Sequence, residues 1–545
     1  MSEREKMVWG VDLYRRIIFN LLAYCLIILS HFANYLIYIE YSFDSIEVII
    51  VLGFVVLFST LLAVVAQLGG AVLRAIIFAI LISLVLGDAI FELGVDEGRT
   101  GLFAASLTLI VSVALALLLG RHAGKVLAGA FGIVLCATLV LPYFRPLQSM
   151  PGDGHGLERG QSNLPVILHL VLDEHVGLIG LDASRPGGER LAHDLRQFYV
   201  SHGFRVFSHA YSQFFDTPMA LASTLNFDSG GSAEAYLKQG RGTWSLLANR
   251  YFSELGKRGY NARIYHSTYM NFCRSDGIAL EACEGYNLDK FVPESIAELP
   301  LKERLYLIVN MYYSSIAVIR LMKLLSTALE NYGVELPSLG LWQGSVGPIA
   351  VLPTLDKLAD DLSRASGGTV FFAHLLIPHY PYVFQSNCNI RKPVSSWQTR
   401  FHRDGTIDPE SRRRRYAAYY DQIRCTLRRL TVLFDAMKAA GSYDDAIIII
   451  HGDHGSRIVQ VEPTAENISQ LTSEDHRDSF STLFAAKMPG LAAGTDATVA
   501  PISVILPYLL GDFSGPLFSF PNTEAYFASK SGAYVKSPII LTDRD

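Results

Sequence analysis

Residues 446–455 read Ala446-Ile-Ile-Ile-Ile-His451-Gly-Asp453-His454-Gly455. Four consecutive isoleucines carry no helical or alternating pattern. A short continuous β-branched run of this kind suits a strand buried on both faces of a parallel sheet. Two further runs match it, Val166-Ile-Leu-His-Leu-Val-Leu172 and Thr369-Val-Phe-Phe-Ala373. Helical patterning lies between them, as over 411–440, so strands alternating with helices predict an α/β layered sheet. Ligands of such sheets sit beyond the carboxyl ends of the strands. All three runs end in acid or imidazole there: Asp173-Glu174-His175, then His374 and Pro378-His379-Tyr380-Pro381, then Asp453-His454.

Carboxylates and imidazoles delivered to one rim suit a divalent metal such as Zn²⁺ or Mn²⁺, rather than Ca²⁺. Asp453-His454 is the strongest pair, because flanking glycines let the backbone turn tightly at a ligand. Taken singly, an Asp such as Asp173 is more often a helix cap, and a His such as His374 more often a satisfied core residue. The segment 211–226 offers a nucleophile. Pro218 is favoured in the first helical turn, so 218–226 reads as a short helix with Thr217 as its N-cap. A hydroxyl there sits at the positive helix end, and a neighbouring metal would activate it. The residues alone leave Thr217 open between nucleophile and simple cap.

The chain has 545 residues, 50% hydrophobic and 18% charged, with a net charge of −5. Soluble domains average about 25% charged residues. The apolar excess is concentrated before residue 145, and nothing in the charge suggests a nucleic-acid partner. Apolar stretches at 17–39, 47–67, 70–91, 101–119 and 122–142 each approach the ~20 residues that span a bilayer as helix. A basic N-terminus (Arg4, Lys6, Arg15, Arg16), an acidic loop (Glu40, Asp44, Glu47), Arg74, an acidic loop (Asp88, Glu92, Asp96, Glu97) and a basic one (Arg121, His122, Lys125) alternate along the chain. That alternation predicts a cytoplasmic N-terminus and, after five crossings, a periplasmic or extracellular remainder. A four-span alternative, with one re-entrant helix, would put the remainder inside. The expected organisation is therefore a five-helix membrane domain at 1–145, a Pro/Gly/Ser-containing linker at 146–163, and a catalytic domain at 164–545. Four cysteines fall in that last part. In an oxidising compartment they suggest two disulfides, Cys273–Cys283 as the local pair and then Cys388–Cys425. Arg412–Arg415 reads as a solvated helix face or as a grip for anionic headgroups.

Together these residues resemble the alkaline phosphatase/sulfatase superfamily. The pattern is an apolar strand ending in Asp173, a Thr at a helix start, Pro-His-x-Pro and Gly-Asp-His-Gly, over about residues 163–510. A multi-pass α-helical anchor with an exported catalytic domain is similar to lipoteichoic acid synthases and lipid A phosphoethanolamine transferases. The resemblance implies a three-layer α/β/α sandwich with a mostly parallel central sheet. It implies Asp173, Glu174, Thr217, Asp453 and His454 as metal-site residues, Thr217 as nucleophile, and His379 and His476 as substrate-binding residues. Helix 419–430 resembles the helix before the family's last metal strand. The implied activity is transfer or hydrolysis of a phosphoryl-type group, such as phosphoethanolamine or phosphoglycerol, on a membrane lipid or envelope glycan at the inner membrane.

The pattern departs from true sulfatases. Asp216 stands where their formylglycine precursor would be, and Ala220 where their Arg would be. His451 stands where many members have Ser. Lys and Arg are scarce around Thr217. Two rivals remain: a phosphate or sulfuric ester hydrolase, and a catalytically degenerate domain serving as an envelope binding or assembly module.

Overall fold

The computed structural model describes residues 3–92, 99–144, 163–181, 185–240, 243–273, 277–286, 296–315, 347–397, 409–511, 517 and 523–541. The linker, most of 290–350, and Asp96 and Glu97 lie outside the described residues. The chain divides into two compact units. One comprises 1–148 and 296–344, the other 149–295 and 345–545.

In the first unit, helices α1 (Glu3–Tyr38), α2 (Ile46–Leu68), α3 (Gly70–Glu92), α4 (Arg99–Leu119) and α5 (Ala123–Phe144) cover the five apolar stretches. By length and composition, three stretches among the described residues can cross a membrane: Tyr14–Tyr38, Ile46–Leu68 and Ser106–Val140. Gly70–Ser83 is a shorter apolar helix. The turn Gly120–His122 interrupts the third stretch. The helix Leu301–Ser315, distant in sequence, belongs to this unit and buries Leu307, Ile308 and Met311. Its Arg304 reaches the buried Glu47 at 3.5 Å, which also accepts from Tyr41.

The second unit is built on an eight-stranded sheet. Its strands in chain order are β1 (Ile167–Leu172), β2 (Arg205–Phe207), β3 (Asn261–Ser267), β4 (Ala279–Tyr286), β5 (Thr369–Leu375), β6 (Ile447–His451), β7 (Phe484–Lys487) and β8 (Gly494–Asp496). The spatial order is β8-β2-β7-β6-β1-β5-β3-β4. Only β7 runs antiparallel to its neighbours; every other pairing is parallel. The three apolar runs are thus β1, β5 and β6, side by side at the centre. β1 and β5 are buried at every residue, as helix-covered parallel strands require. One face packs Ile167, Val171, Ile264 and Phe372 against α6 (Thr217–Asn226), α7 (Arg250–Lys257) and Ile502–Leu510. On the opposite face Tyr265 donates to Asp361 of helix Gly347–Ser363 at 2.6 Å. Helices therefore cover both sides.

His451 and His169 meet inside this core, their Nε2 atoms 2.8 Å apart. His451 Nδ1 donates to the Gly452 carbonyl, so its Nε2 must accept from His169. Burial holds both imidazoles below their ordinary pKa, His451 at about 4. His451 is therefore a neutral, partnered core residue. The disulfides Cys273–Cys283 and Cys388–Cys425 are both formed, while Cys25 and Cys136 are free.

Arg412 and Arg415 do not form a solvated face. Arg412 is buried and reaches Asp478 at 2.7 Å and Glu474 at 3.0 Å. Arg185 binds the same two acids. Arg415 is buried as well, leaving Arg413 and Arg414 exposed beside Glu410. The helical period turns the first and fourth members of the run inward, where acids on Ser473–Phe480 meet Arg412.

Candidate metal and nucleophile site

The carboxyl ends of β1, β5 and β6 bring Asp173, His374 and Asp453 together. One ligand atom from each lies within 4.8 Å of the others, and all three residues are buried. His374 Nε2 is 3.2 Å from Asp173 Oδ2, and His454 Nε2 is 3.1 Å from Asp453 Oδ2 and 3.9 Å from Asp173 Oδ1. Thr217 Oγ1 lies 3.4 Å from Asp173 Oδ2 and 3.3 Å from His454 Nε2. The structure thus brings Asp173, Thr217, Asp453 and His454 together. The sequence reading missed His374, because a single imidazole in an apolar strand carries no signal until the neighbouring strand is placed beside it.

The hydrogen bonds show what this cluster suits. Asp453 Oδ1 accepts the backbone N–H groups of Glu174 (3.0 Å) and His454 (2.9 Å). Its Oδ2 has no hydrogen-bond partner, and neither do Asp173 Oδ1 and His374 Nε2. His454 Nδ1 donates to the Gly455 carbonyl at 3.0 Å, which leaves the Nε2 lone pair facing the cluster. Buried acceptors converging without donors are costly, and a divalent cation satisfies them. The residues therefore fit the metal that the resemblance implies. Charge tells the same story. Burial opposes ionisation of Asp173, but the imidazoles of His379, His374 and His454 outweigh it and hold the carboxyl well below its usual range. Burial and the neighbouring Asp173 push Asp453 the other way. Two carboxylates that resist joint ionisation are the arrangement a bound cation relieves.

Thr217 is the first residue of α6, not its cap. Asp216 is the cap, its Oδ1 accepting Met219 N–H at 3.2 Å and its Oδ2 accepting from Tyr534 at 3.1 Å. Asp is as good a cap as Thr, and its carboxylate spans the distance to the third amide. An acid thus already meets the positive helix end, so the help expected for Thr217 falls more heavily on the cluster itself.

Glu174 has a different occupation from the ligand role expected of it. Its Oε1 accepts Arg457 Nε at 2.8 Å and also Arg457 Nη2, while Oε2 accepts Tyr380 N–H at 3.2 Å. Its lone pairs are engaged by protein donors. Arg457, two residues past Gly455, escaped the sequence reading because it lies outside the Asp-His-Gly motif. His379 sits at the rim, its Nε2 3.8 Å from Glu174 Oε1 and its Nδ1 donating to the Tyr380 carbonyl at 2.5 Å. Gln422 of the helix Pro409–Ala439 clamps this segment. Its Nε2 donates to the carbonyls of Pro378, His379 and Pro381, and its Oε1 accepts the amides of Val383 and Phe384. His476 is not brought into the cluster. Its Nδ1 accepts from Ile540 N–H at 3.0 Å and its ring lies against Phe527.

No family model matches the chain, and no curated protein matches it. Among solved structures the chain is similar to the C-terminal periplasmic domain of EcEptC from Escherichia coli, at 13% identity over 70% of this chain and 94% of that one, with a TM-score of 0.39. The same domain in complex with Zn matches at 12% identity, over 69% and 94%, with a TM-score of 0.38. Phosphonate monoester hydrolase of Agrobacterium radiobacter matches at 12% identity, over 67% and 80%, with a TM-score of 0.39.

Proposed function

We propose that the chain is a membrane-anchored, metal-dependent, sulfatase-like enzyme that moves a phosphoryl-type group through a covalent threonine intermediate. The group would be one such as phosphoethanolamine or phosphoglycerol, and the acceptor an envelope lipid or glycan. The observation that supports this most is Thr217, a buried hydroxyl held within 3.4 Å of both Asp173 and His454.

Asp173, His374, Asp453 and His454 would hold a divalent ion, Zn²⁺ or Mn²⁺, whose charge lowers the hydroxyl pKa and withdraws electrons from the phosphoryl oxygens. The Thr217 hydroxyl donates a hydrogen bond to Asp173 Oδ2, which aims the oxygen lone pairs outward, takes the proton as Oγ1 attacks and returns it when the acceptor displaces Thr217. Thr217 Oγ1 forms a bond to phosphorus as the bond to the donor alcohol breaks. His379, with Nε2 facing the rim, is placed to give that alcohol its proton and to take one from the acceptor hydroxyl in the second half. Burial of the cluster excludes bulk water and strengthens each of these interactions.

The apolar helices of the first unit would anchor the chain so that a lipid donor is met at the membrane face. Orientation with the second unit in the periplasm, and five crossings, complete the proposal.

Purified full chain in detergent, incubated with short-chain phosphatidylethanolamine or phosphatidylglycerol and mapped by mass spectrometry, should show the donor's phosphoryl adduct on Thr217. Thr217→Ala should lack it and lose turnover by about 10³-fold or more. Turnover without any adduct would favour the ester hydrolase using water directly. A protein without bound divalent ion and without turnover would favour the binding module.

A further inference from the structure

Among the residues without a role so far, Arg457 is the most unusual. Its φ is +53°, and that of Glu174, its partner, is +63°. Both are non-glycine residues in the left-handed region, where backbone conformations persist only when the surroundings impose them. Here the two form one ion pair at the edge of the cluster. Arg457 is also pinned from behind. Its N–H donates to the Asp478 carbonyl at 3.1 Å, and Gly455 N–H donates to Ser479 at 3.0 Å. Asp478 itself is gripped by Arg185 and Arg412. The side chain is 11% exposed.

Glu174 engages only one edge of the guanidinium, Nε and Nη2. Nη1 has no protein partner among the described residues. Glu174 directly follows Asp173 and donates its own N–H to Asp453 Oδ1 at 3.0 Å, so the guanidinium stands beside the cluster. A guanidinium held rigidly by a carboxylate, with one N–H edge left unpaired beside the cluster, is preorganised for a planar, two-point grip on a tetrahedral oxyanion.

We infer that Arg457 is the anion-recognition residue of the site, binding a non-bridging oxygen of the phosphoryl group at Thr217, and that Glu174 is the positioning residue that aims it. This rests on the phosphoryl reading above and adds to it what the site recognises: the tetrahedral anion itself.

The test is equilibrium binding to the full chain in detergent, read by calorimetry, with inorganic phosphate and short-chain phosphatidylglycerol as separate probes. Arg457→Gln should weaken both about 10–100-fold, as expected for a hydrogen bond to a charged group. Arg457→Lys, which keeps the charge but not the fork, should recover part of that loss. Glu174→Gln should weaken binding in the wild-type background and have no further effect in Arg457→Gln, the coupling of a residue that acts through another. Unchanged phosphate affinity in Arg457→Gln or no wild-type phosphate binding overturns the assignment, as does a loss confined to the lipid. Additive effects of the two substitutions overturn the role of Glu174. If Arg457→Gln does not fold, Arg457→Lys carries the test, and wild-type affinity for phosphate with the fork removed overturns it. The Thr217 adduct is read separately, so either idea can fail alone.

Discussion

Replacing Gln422 by Leu would remove five hydrogen bonds from the segment that carries His379. The amides of Val383 and Phe384 share Oε1 at 2.8 and 3.2 Å, and the carbonyls of Pro378, His379 and Pro381 share Nε2 at 3.1, 2.7 and 3.4 Å. The side chain is fully buried, so water does not replace it. A buried donor left without a partner costs about 1–3 kcal/mol. Counting only the two amides gives roughly 2–6 kcal/mol, taken locally because the change falls on one loop. At ~1.4 kcal/mol per decade, even the lower figure raises amide exchange at Val383 and Phe384 about 30-fold. Hydrogen exchange read by mass spectrometry on a peptide covering 378–385 measures this directly. Gln422→Glu keeps the acceptor and loses the donors, so Val383 and Phe384 should stay protected while the carbonyls of Pro378, His379 and Pro381 lose their partner. The nearby Cys388–Cys425 disulfide ties the same segment to the same helix. Unchanged exchange in Gln422→Leu would mean that the disulfide alone holds the loop, refuting the argument.

Acid should weaken the second unit before its carboxylates titrate. Burial lowers His175 and His451 to about 4, whereas an unfolded chain titrates near 6.5. Below that value the unfolded state binds more protons, so stability contributed by these neutral imidazoles is present at pH 7 and falls between about 6.5 and 4. The denaturant midpoint should drop over that window; a flat midpoint contradicts the neutral pair. Asp453→Asn should remove a ligand charge and reduce bound metal at least tenfold by elemental analysis, whereas His476→Ala should leave metal content unchanged. Gly455→Ala should unfold or distort the site, because its Cβ would lie 2.0 Å from the Asp478 backbone oxygen. Wild-type thermal stability in that variant would show that the Asp478 backbone can move away.

The parts of this molecule that the sequence revealed are those written in contiguous residues. The apolar runs of β1, β5 and β6 announced buried strands because they are short, rich in β-branched or aromatic residues and bounded by turn-forming or polar residues. Asp453-His454 announced a candidate ligand pair because glycines flank it. The rest depended on distance in space. His374 is a ligand candidate only because β5 lies beside β1. Glu174 reads as a ligand until Arg457, 283 residues later, is found on its carboxylate. Asp216 displaced Thr217 as the cap because the two compete for the same amide, and adjacent residues of equal propensity give the sequence no way to choose. The Arg412–Arg415 run misled because helical turning sends half of it inward, toward acids sixty residues away.

The division of the chain also bears on how the protein can be handled in the laboratory. Residues 296–344 interrupt the second unit in sequence yet belong to the first. A fragment begun after Phe144 would carry that insertion without the neighbours that bury Leu307, Ile308 and Met311. It should be sticky and short-lived, whereas excising the insertion and bridging its ends should yield a well-behaved piece for crystallisation.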